Sequence, residues 1–210
     1  LDEVVIVGRG IIDLAKDRKT PIAVSTLTSS EIQEKDPYNR WLARQSRFRI
    51  DAEFIRDNAL AIAGLLNAAD IGGPSVKPYQ PEGVWEAVAM PESNTRNYKR
   101  DTGDNLYRRS MYTFWKRASP PASLETFDAT SREVVCSRRA RTNTPLQALV
   151  LWNETGYLES SRKLGERMLK EGGADDTSRA TFAFRLATGR APRAAETEVL
   201  TRTYAKLRAD

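Results

Sequence analysis

Carboxylates are the side chains best placed to carry chemistry in this 210-residue chain. The sequence has no histidine and one cysteine, Cys136. A Ser-His-Asp triad, a Cys-His pair and an imidazole metal ligand are therefore excluded within the chain. A single cysteine also excludes an internal disulfide, a zinc knuckle, an iron–sulfur cluster held by this chain alone and a C-x-x-C-H haem attachment site. Carboxylate chemistry, Ser/Lys chemistry and an oxygen-ligated metal stay open, as does a purely non-catalytic role.

Two carboxylate pairs lie close together in the sequence. Asp101 and Asp104 flank Gly103, and Asp128 and Glu133 flank a polar loop. A two-carboxylate mechanism needs facing groups at a defined separation, which sequence spacing does not supply. The segment around Gly103 also has too few oxygen ligands for a calcium loop. We therefore interpret it as a turn and predict neither a catalytic residue nor a metal site.

The most distinctive motif is RTNTPLQ, residues 141–147. Thr144 and Gln147 have the spacing of a capping box, and Pro145 occupies the first helical position, so a helix is predicted to begin there. Asn143 has two interpretations: a turn hydrogen bond to nearby backbone, or a contact to an anion at the helix N-terminus. Cys136 is interpreted as a small buried hydrophobic residue rather than as a reactive thiol.

The positive charge of the chain is concentrated in residues 96–141. This segment holds eleven basic and five acidic residues, a net charge of +6, whereas the whole chain carries +5. Interleaved aromatic side chains suggest a stacking platform for an anionic polymer, and arginine forks also suit the sulfate or carboxylate groups of a glycan. The favoured interpretation is that the aromatic side chains belong to the core and the arginines pair with Asp128, Glu133 and helix C-termini. A docked partner protein or upstream domain is the remaining alternative. The candidate anion- or partner-binding residues are Arg108, Arg109, Lys116, Arg138, Arg139, Arg141 and Asn143.

The elements that must position these residues are predicted to be mainly α. Apolar spacing over 51–66 predicts a surface helix that buries Phe54, Ile55, Ala59, Ile62, Leu65 and Leu66 and exposes Glu53, Arg56 and Asp57. Short strands are predicted at 4–7, 22–27 and 106–117, and short helices at 31–35 and 81–88, the last with Trp85 and Val88 facing inward. The middle of the chain is rich in proline and glycine and is predicted to be irregular.

The last third predicts a small helical bundle of four helices joined by short connections. The first starts at the capping box and is expected to bury Leu146, Leu149, Val150 and Trp152. The second ends at Gly172 and Gly173, the third is capped by Asp175 or Asp176, and the fourth follows Pro192. No apolar run is long enough to span a membrane, and we expect any export signal to lie outside these residues.

Residues 36–210 resemble the C-terminal domain of unknown function, number 1553, of large planctomycete-type proteins. The resemblance is carried by LYRRSMYTFWKR, PPASLETFDATSRE, RRARTNTPLQALVLWN and FAFRLATGRAPRAAETEVL. Such proteins commonly carry a cytochrome c-like domain upstream. The resemblance therefore implies an extracytoplasmic location, at the periplasm or cell surface, and a haem on a separate domain, with no cofactor in this chain.

Residues 1–35 are similar to the opening of the plug domain of TonB-dependent outer-membrane receptors, through EVVIVG and TPIAVSTLTSSEI. We interpret them as a foreign N-terminal segment, from a chimera or a natural fusion, that packs poorly on residues 36–210. Outer-membrane uptake would concern this segment alone.

The function expected from the sequence is a non-catalytic accessory or docking domain that binds upstream domains of its own protein or another protein. It predicts exposed apolar side chains among the C-terminal helices and no deep polar cleft. The alternative is a polyanion- or carbohydrate-binding, or carbohydrate-active, domain that uses the basic segment 96–141. Nucleic acid is the less favoured polyanion.

Overall fold

The structure is a computed structural model that describes residues 3–6, 25–28, 34, 36, 38, 40 and 49–209, and it divides the chain into two units, Leu1–Phe48 and Arg49–Asp210. In the first unit, β1 (Glu3–Ile6) pairs antiparallel with β2 (Ser25–Thr28), with Glu3 opposite Thr28. Extended structure near both predicted strands is thus confirmed. Of the helix predicted over 31–35, Glu34 is helical and the rest lies outside the described residues.

The second unit is helical, as predicted. In its described residues the α-helices are α1 (Ala52–Ala63), α2 (Ala122–Thr126), α3 (Pro145–Asn153), α4 (Thr155–Glu171), α5 (Asp176–Thr188) and α6 (Ala194–Ala209). Short 3-10 helices occupy Glu86–Val88, Gly103–Tyr107 and Ser110–Tyr112. Within the described ranges, no helix combines the length and the apolar character that crossing a membrane requires.

The predicted helix boundaries of the last third are confirmed by the capping contacts. The backbone N–H of Thr144 donates to Gln147 Oε1 at 3.3 Å at the start of α3. Asp175 caps α5 by accepting a hydrogen bond from the Ser178 backbone N–H at 2.9 Å. Gly189 ends α5 with a left-handed φ of 72°, a conformation that glycine adopts without a steric penalty.

The core lies where α1 packs on α4, with α2 and α3 closing one side. Its buried members are Ala52, Leu124, Phe127 and Tyr157. A separate aromatic cluster in the irregular middle surrounds the buried ring of Trp85 and includes Tyr98 and Phe114. Beyond the core, α5 packs on α4, and α6 packs on α5.

The buried face of α1 differs from the one predicted. Asp57 is buried, whereas Phe54 is exposed. The carboxylate of Asp57 accepts a hydrogen bond from the Ser110 backbone N–H at 2.7 Å, and Arg56 donates to the carbonyl oxygens of Leu106 and Arg108. Because residues 106–110 form the junction between two short 3-10 helices, their backbone groups need side-chain partners, and the polar residues of α1 supply them. The prediction that Arg56 and Asp57 face solvent was wrong for this reason.

The strand predicted over 106–117 was also wrong. Two of the three 3-10 helices fall partly or wholly within this segment, which otherwise makes isolated bridges from Arg108 to Asn67 and from Thr113 to Val76. Aromatic and β-branched residues favoured a strand on propensity alone, but these side chains pack around an irregular backbone instead.

Several residues predicted to be in the core are on the surface. Leu146, Leu149 and Trp152 of α3 are exposed, and Val150 alone of the four predicted α3 core residues packs against the core cluster. Cys136 is exposed too, which corrects its interpretation as a buried hydrophobic residue. Val88 is half exposed, although Trp85 is buried as predicted.

Candidate functional site

A groove of about 320 Å³ lies in the second unit between α2, the last turn of α3 and residues 79–81. Its lining is largely apolar, with a few polar groups. It consists of Tyr79, Pro81, Ala122, Ser123, Thr126, Leu149, Val150, Asn153 and Glu154. A concave, mostly apolar surface of this size with a few polar groups is typical of a binding site.

An enclosed cavity, which we call the inner chamber, adjoins this groove. The two share Tyr79, Ser123 and Glu154 in their linings. The chamber has a volume of about 20 Å³, which is room for one group the size of a water molecule. Its polar lining includes Arg56, Tyr107, Thr113, Tyr157 and Glu159.

The first turns of α4 place the chamber's carboxylates. Glu154 precedes the helix and caps it, with its carboxylate accepting a hydrogen bond from the Tyr157 backbone N–H at 3.1 Å. Tyr157 enters the core, where its ring meets that of Phe127 edge to face at 6.4 Å. Glu159, in the next turn, accepts a hydrogen bond from the Tyr107 hydroxyl at 2.8 Å. Helix α4 is thus held at its start by its cap, its core ring and this side-chain bond.

The tyrosines of the chamber keep their protons over the whole physiological range. Burial, followed by the hydrogen bond to Glu159, raises the pKa of Tyr107 to about 12. Burial also raises the pKa of Tyr157 and of Tyr79, and the neighbouring glutamates add to both effects. Neutral phenols beside a carboxylate can donate or accept hydrogen bonds but do not act as bases.

Polar atoms of three chamber residues are buried without a hydrogen-bond partner. They are Tyr157 Oη, Thr113 Oγ1 and Glu159 Oε2. Tyr157 and Thr113 are each only 6% exposed. Buried polar groups in folded proteins are nearly always partnered, so these three atoms are exceptions among the residues of the chamber wall.

The chamber does not have the arrangement of a catalytic carboxylate pair. Glu154 Oε2 caps α4 and Glu159 Oε1 accepts the hydrogen bond from the Tyr107 hydroxyl, so each carboxylate already has a structural partner. Acid–base chemistry of the glycosidase type needs two carboxyl groups with separate roles.

Arg108, predicted to bind an anion or partner, has a structural role instead. It is 4% exposed, and its guanidinium donates to the carbonyl oxygens of Pro74, Asp70 and Gly72. Several carbonyls bound by one guanidinium fix the loop over residues 70–74. The expectation of a surface contact is corrected because this irregular loop needs donors.

Arg109 and Lys116 each have a partner within the domain. The Arg109 side chain is partly exposed, with its Nε 3.6 Å from the Asp57 carboxylate. Lys116 donates to the carbonyl oxygen of Thr95 at 2.9 Å, and its Nζ lies 4.8 Å from the Trp85 ring centre. Both cations therefore contribute to internal contacts.

The remaining candidate cations lie on an open loop over residues 136–141. Arg139 binds both carboxylate oxygens of Glu53, at 2.6 and 3.0 Å, and Arg141 Nη2 lies 3.9 Å from an oxygen of Asp51. These contacts attach the loop to the start of α1. Arg138 and Asn143 are exposed, and in residues 49–209 no ion pair is formed by Arg138.

Two of the four carboxylates singled out in the sequence, Asp101 and Asp128, bind backbone groups. Asp101 accepts a hydrogen bond from the Lys77 N–H at 2.7 Å, and Asp128 accepts from the Thr142 N–H at 2.7 Å while pairing with Arg49. Over the residues that the structure describes, no three potential His, Cys, Asp or Glu ligands lie together.

Sequence reasoning missed Tyr79, Tyr157 and Glu159 as site residues, and it considered Tyr107 only as an aromatic side chain interleaved with the basic segment 96–141. The available signal in the sequence was Glu154, three residues before Tyr157, because a capping residue there predicts where α4 begins. It does not predict that residues 79 and 107 meet that turn.

Comparison with known proteins gives one match. A family model named PSD1, described as a protein of unknown function (DUF1553), matches residues 23–204. No curated protein and no solved structure shows a significant match. The match begins inside the segment likened to a receptor plug, and nothing in the comparisons supports that resemblance. Because the family model covers most of the chain, this protein belongs to the PSD1 (DUF1553) family.

Proposed function

We propose that residues 49–209 form a docking domain whose groove holds an apolar segment of a partner protein. The observation that carries this proposal is the groove of about 320 Å³, which combines an apolar lining with a polar chamber at one side. Apolar contact supplies affinity in such sites, and a few fixed polar groups supply orientation.

The exposed apolar surface beyond the groove supports the same function. Leu146, Leu149 and Trp152 of α3 and Val199 and Leu207 of α6 are all exposed. A docking domain is expected to present such exposed apolar side chains among its C-terminal helices. Clusters of exposed apolar residues commonly mark protein–protein contacts. The inner chamber is polar, but it has room for only one water-sized group.

The partner in this proposal is a domain upstream in the same polypeptide. The planctomycete-type resemblance supports a larger, exported, cytochrome c-associated protein in which another domain carries the haem. In that setting the PSD1 domain would hold its neighbours together and would have no cofactor of its own.

A pair of matched substitutions on α3 tests the proposal. Leu149 lines the groove and is 56% exposed, while Leu146 is 57% exposed and is not part of the groove lining. The upstream domains, expressed separately, would be titrated against the 210-residue chain by biolayer interferometry. We expect Leu149→Asn to weaken binding about tenfold, through the loss of a buried leucine contact, and Leu146→Asn to leave it unchanged. Equal binding by all three proteins would refute docking in the groove.

A second candidate function is suggested by the open loop over residues 136–141, which surrounds a recess of about 820 Å³. Arg138 and Asn143 are exposed beside it, so this surface retains the anionic glycan or polyanion as a candidate ligand. Internal pairing of Arg139 and Arg141 makes this surface less basic than the sequence predicts.

A further inference from the structure

We propose that the loop over residues 131–138 is a cleavage site, where a protease specific for arginine cuts after Arg138 and leaves the domain assembled as two chains. This inference goes beyond the docking function and does not depend on it.

The first observation is that the backbone of this loop is accessible along its whole length. Every residue from Ser131 to Arg138 is exposed, and Val135 is 100% exposed. In the described structure, the backbone N–H groups of residues 134–140 donate no hydrogen bond. The carbonyl oxygen of Arg138, at the bond to be cut, accepts a hydrogen bond from Cys136 Sγ at 3.2 Å, and a thiol is a weak donor. Exposed loops of this kind are the segments that proteases cut most readily.

The second observation concerns the side chain that the protease would recognise. A trypsin-type protease holds the side chain before the cut bond in a pocket that contains a carboxylate. Arg138 is exposed and forms no ion pair in residues 49–209, so its guanidinium is available. The neighbouring Arg139 instead binds both carboxylate oxygens of Glu53. The guanidinium of Arg132 lies 4.5 Å from the centre of the Trp115 ring. The bond after Arg138 is therefore favoured over the bonds after these two arginines.

The basic segment over residues 96–100 differs from this loop, although it is also irregular and largely exposed. Tyr98, in its middle, donates a hydrogen bond from its hydroxyl to the carbonyl oxygen of Pro78. At its end, the Asp101 N–H donates to the Lys77 carbonyl oxygen at 3.0 Å. These bonds hold the segment on the domain, so cleavage there needs a local opening that residues 131–138 do not need.

Contacts between the two sides of the cut keep the cleaved chains together. The core cluster combines residues from both sides, with Ala52, Leu124 and Phe127 before the cut and Tyr157 after it. Helix α1 lies before the cut and packs on α4, which lies after it. Gln147 Nε2 also donates across the cut to the Thr126 carbonyl oxygen at 3.0 Å. Because this burial does not depend on the peptide bond after Arg138, cleavage removes covalent continuity but leaves the core intact.

The reaction is the hydrolysis of one peptide bond. Water adds a hydroxyl group to the carbonyl carbon of Arg138 and a proton to the nitrogen of Arg139, and nothing is oxidised or reduced. At neutral pH the products are a carboxylate and an ammonium group, so the cut adds one charge of each sign and leaves the net charge unchanged.

Limited digestion of the folded 210-residue chain with trypsin tests the site, with early fragments identified by mass spectrometry. We expect the first cut within residues 49–209 to follow Arg138, so that a fragment beginning at Arg139 appears. On size-exclusion chromatography in native buffer this fragment should elute with the rest of the domain, and in urea the two should separate. A first cut at another bond of residues 49–209 would overturn the site, and separation without urea would overturn the two-chain form.

Arg138→Gln should abolish the fragment that begins at Arg139, because the pocket of trypsin recognises a basic side chain. Arg96→Gln is the matched control, at an exposed arginine of the other irregular segment, and it should leave that fragment unchanged. If the two variants slowed the digestion of residues 49–209 equally, no bond would be preferred and the proposal would fail. The digestion of the wild-type chain needs no variant and decides the site by itself.

Discussion

Arg167 of α4 donates a hydrogen bond from Nη1 to the carbonyl oxygen of Ile62, near the end of α1, at 2.6 Å. Its other nitrogens bind both carboxylate oxygens of Glu171, each at 2.9 Å. Carbonyls in the last turn of a helix lack intrahelical donors, so Arg167 both satisfies one of them and joins the two helices whose packing forms the core.

We expect Arg167→Ala to lower the free energy of unfolding by about 1 kcal/mol, through loss of this charge-assisted hydrogen bond. Urea unfolding followed by circular dichroism would measure it. Arg162→Ala is the control, because the Arg162–Glu166 pair lies on the exposed face of the same helix at 3.6 Å. Equal shifts of the two midpoints would show that the contact to Ile62 contributes nothing.

The ion pair between Glu53 and Arg139 makes the free energy of unfolding depend on pH. Burial alone would raise the pKa of Glu53, but the hydrogen bonds and charge of Arg139 outweigh it, so that the pKa lies below its ordinary value of 4.5. A carboxyl whose pKa is lowered by folding stabilises the protein above its unfolded pKa, and that contribution disappears as the pH falls through the folded value.

The wild-type protein should therefore lose more stability between about pH 7 and about pH 3 than Glu53→Gln does. Urea titrations at both values would measure the difference. Glu82→Gln, at an exposed carboxylate, is the control and should keep the wild-type dependence. A Glu53→Gln curve parallel to that of wild type would contradict the prediction.

Gln147 connects the capping box to the rest of the domain. Its side-chain oxygen accepts from the Thr144 N–H, and its Nε2 donates to the Thr126 carbonyl at 3.0 Å and to Thr142 Oγ1 at 3.1 Å. Gln147→Glu keeps the acceptor of the capping box but removes both donors and places a carboxylate beside a carbonyl.

We expect Gln147→Glu to cost about 1–3 kcal/mol in the whole domain, because a buried carbonyl loses its donor. The isolated peptide over residues 141–153 should be as helical with Glu as with Gln, since both complete a capping box. Thermal unfolding of the chain and circular dichroism of the two peptides separate these effects. A domain as stable as wild type would show that α3 needs only its cap.

Arg138 gives the test of the polyanion function. We expect Arg138→Ala to elute from a heparin column at a lower salt concentration than Arg202→Ala. The second variant is the control, because it removes one exposed charge from α6. Identical elution of the two variants would exclude the loop over 136–141 as a specific anion site, because the net charge of the chain alone would then account for retention.

The sequence predicted what depends on neighbours along the chain. The start of α3, the cap at Asp175 and the end of α5 at Gly189 follow from local hydrogen bonds, and all are confirmed. Contacts between distant segments were not predictable in this way. Gln147 was interpreted through its cap alone, and its bond to Thr126 depends on where α2 packs.

The errors on α1 and at Arg108 share one physical cause. Hydrophobic periodicity assumes that a helix buries its apolar side. Here the loop over 70–74 and the junction of two 3-10 helices over 106–110 need donors and acceptors that polar side chains supply. The chamber was missed for a related reason, since Tyr107 and Glu159 are 52 positions apart and no spacing rule links them.

The packing of α5 and α6 has a consequence for motion. Helix α5 has no fully buried residue, and α6 packs on α5 rather than on the core. Local opening of this pair leaves the α1–α4 contact intact, so we expect its amide hydrogens to exchange with solvent before those of α1 and α4. Because neither α5 nor α6 lines the groove or its chamber, we expect both to keep their shape when the C-terminal pair opens.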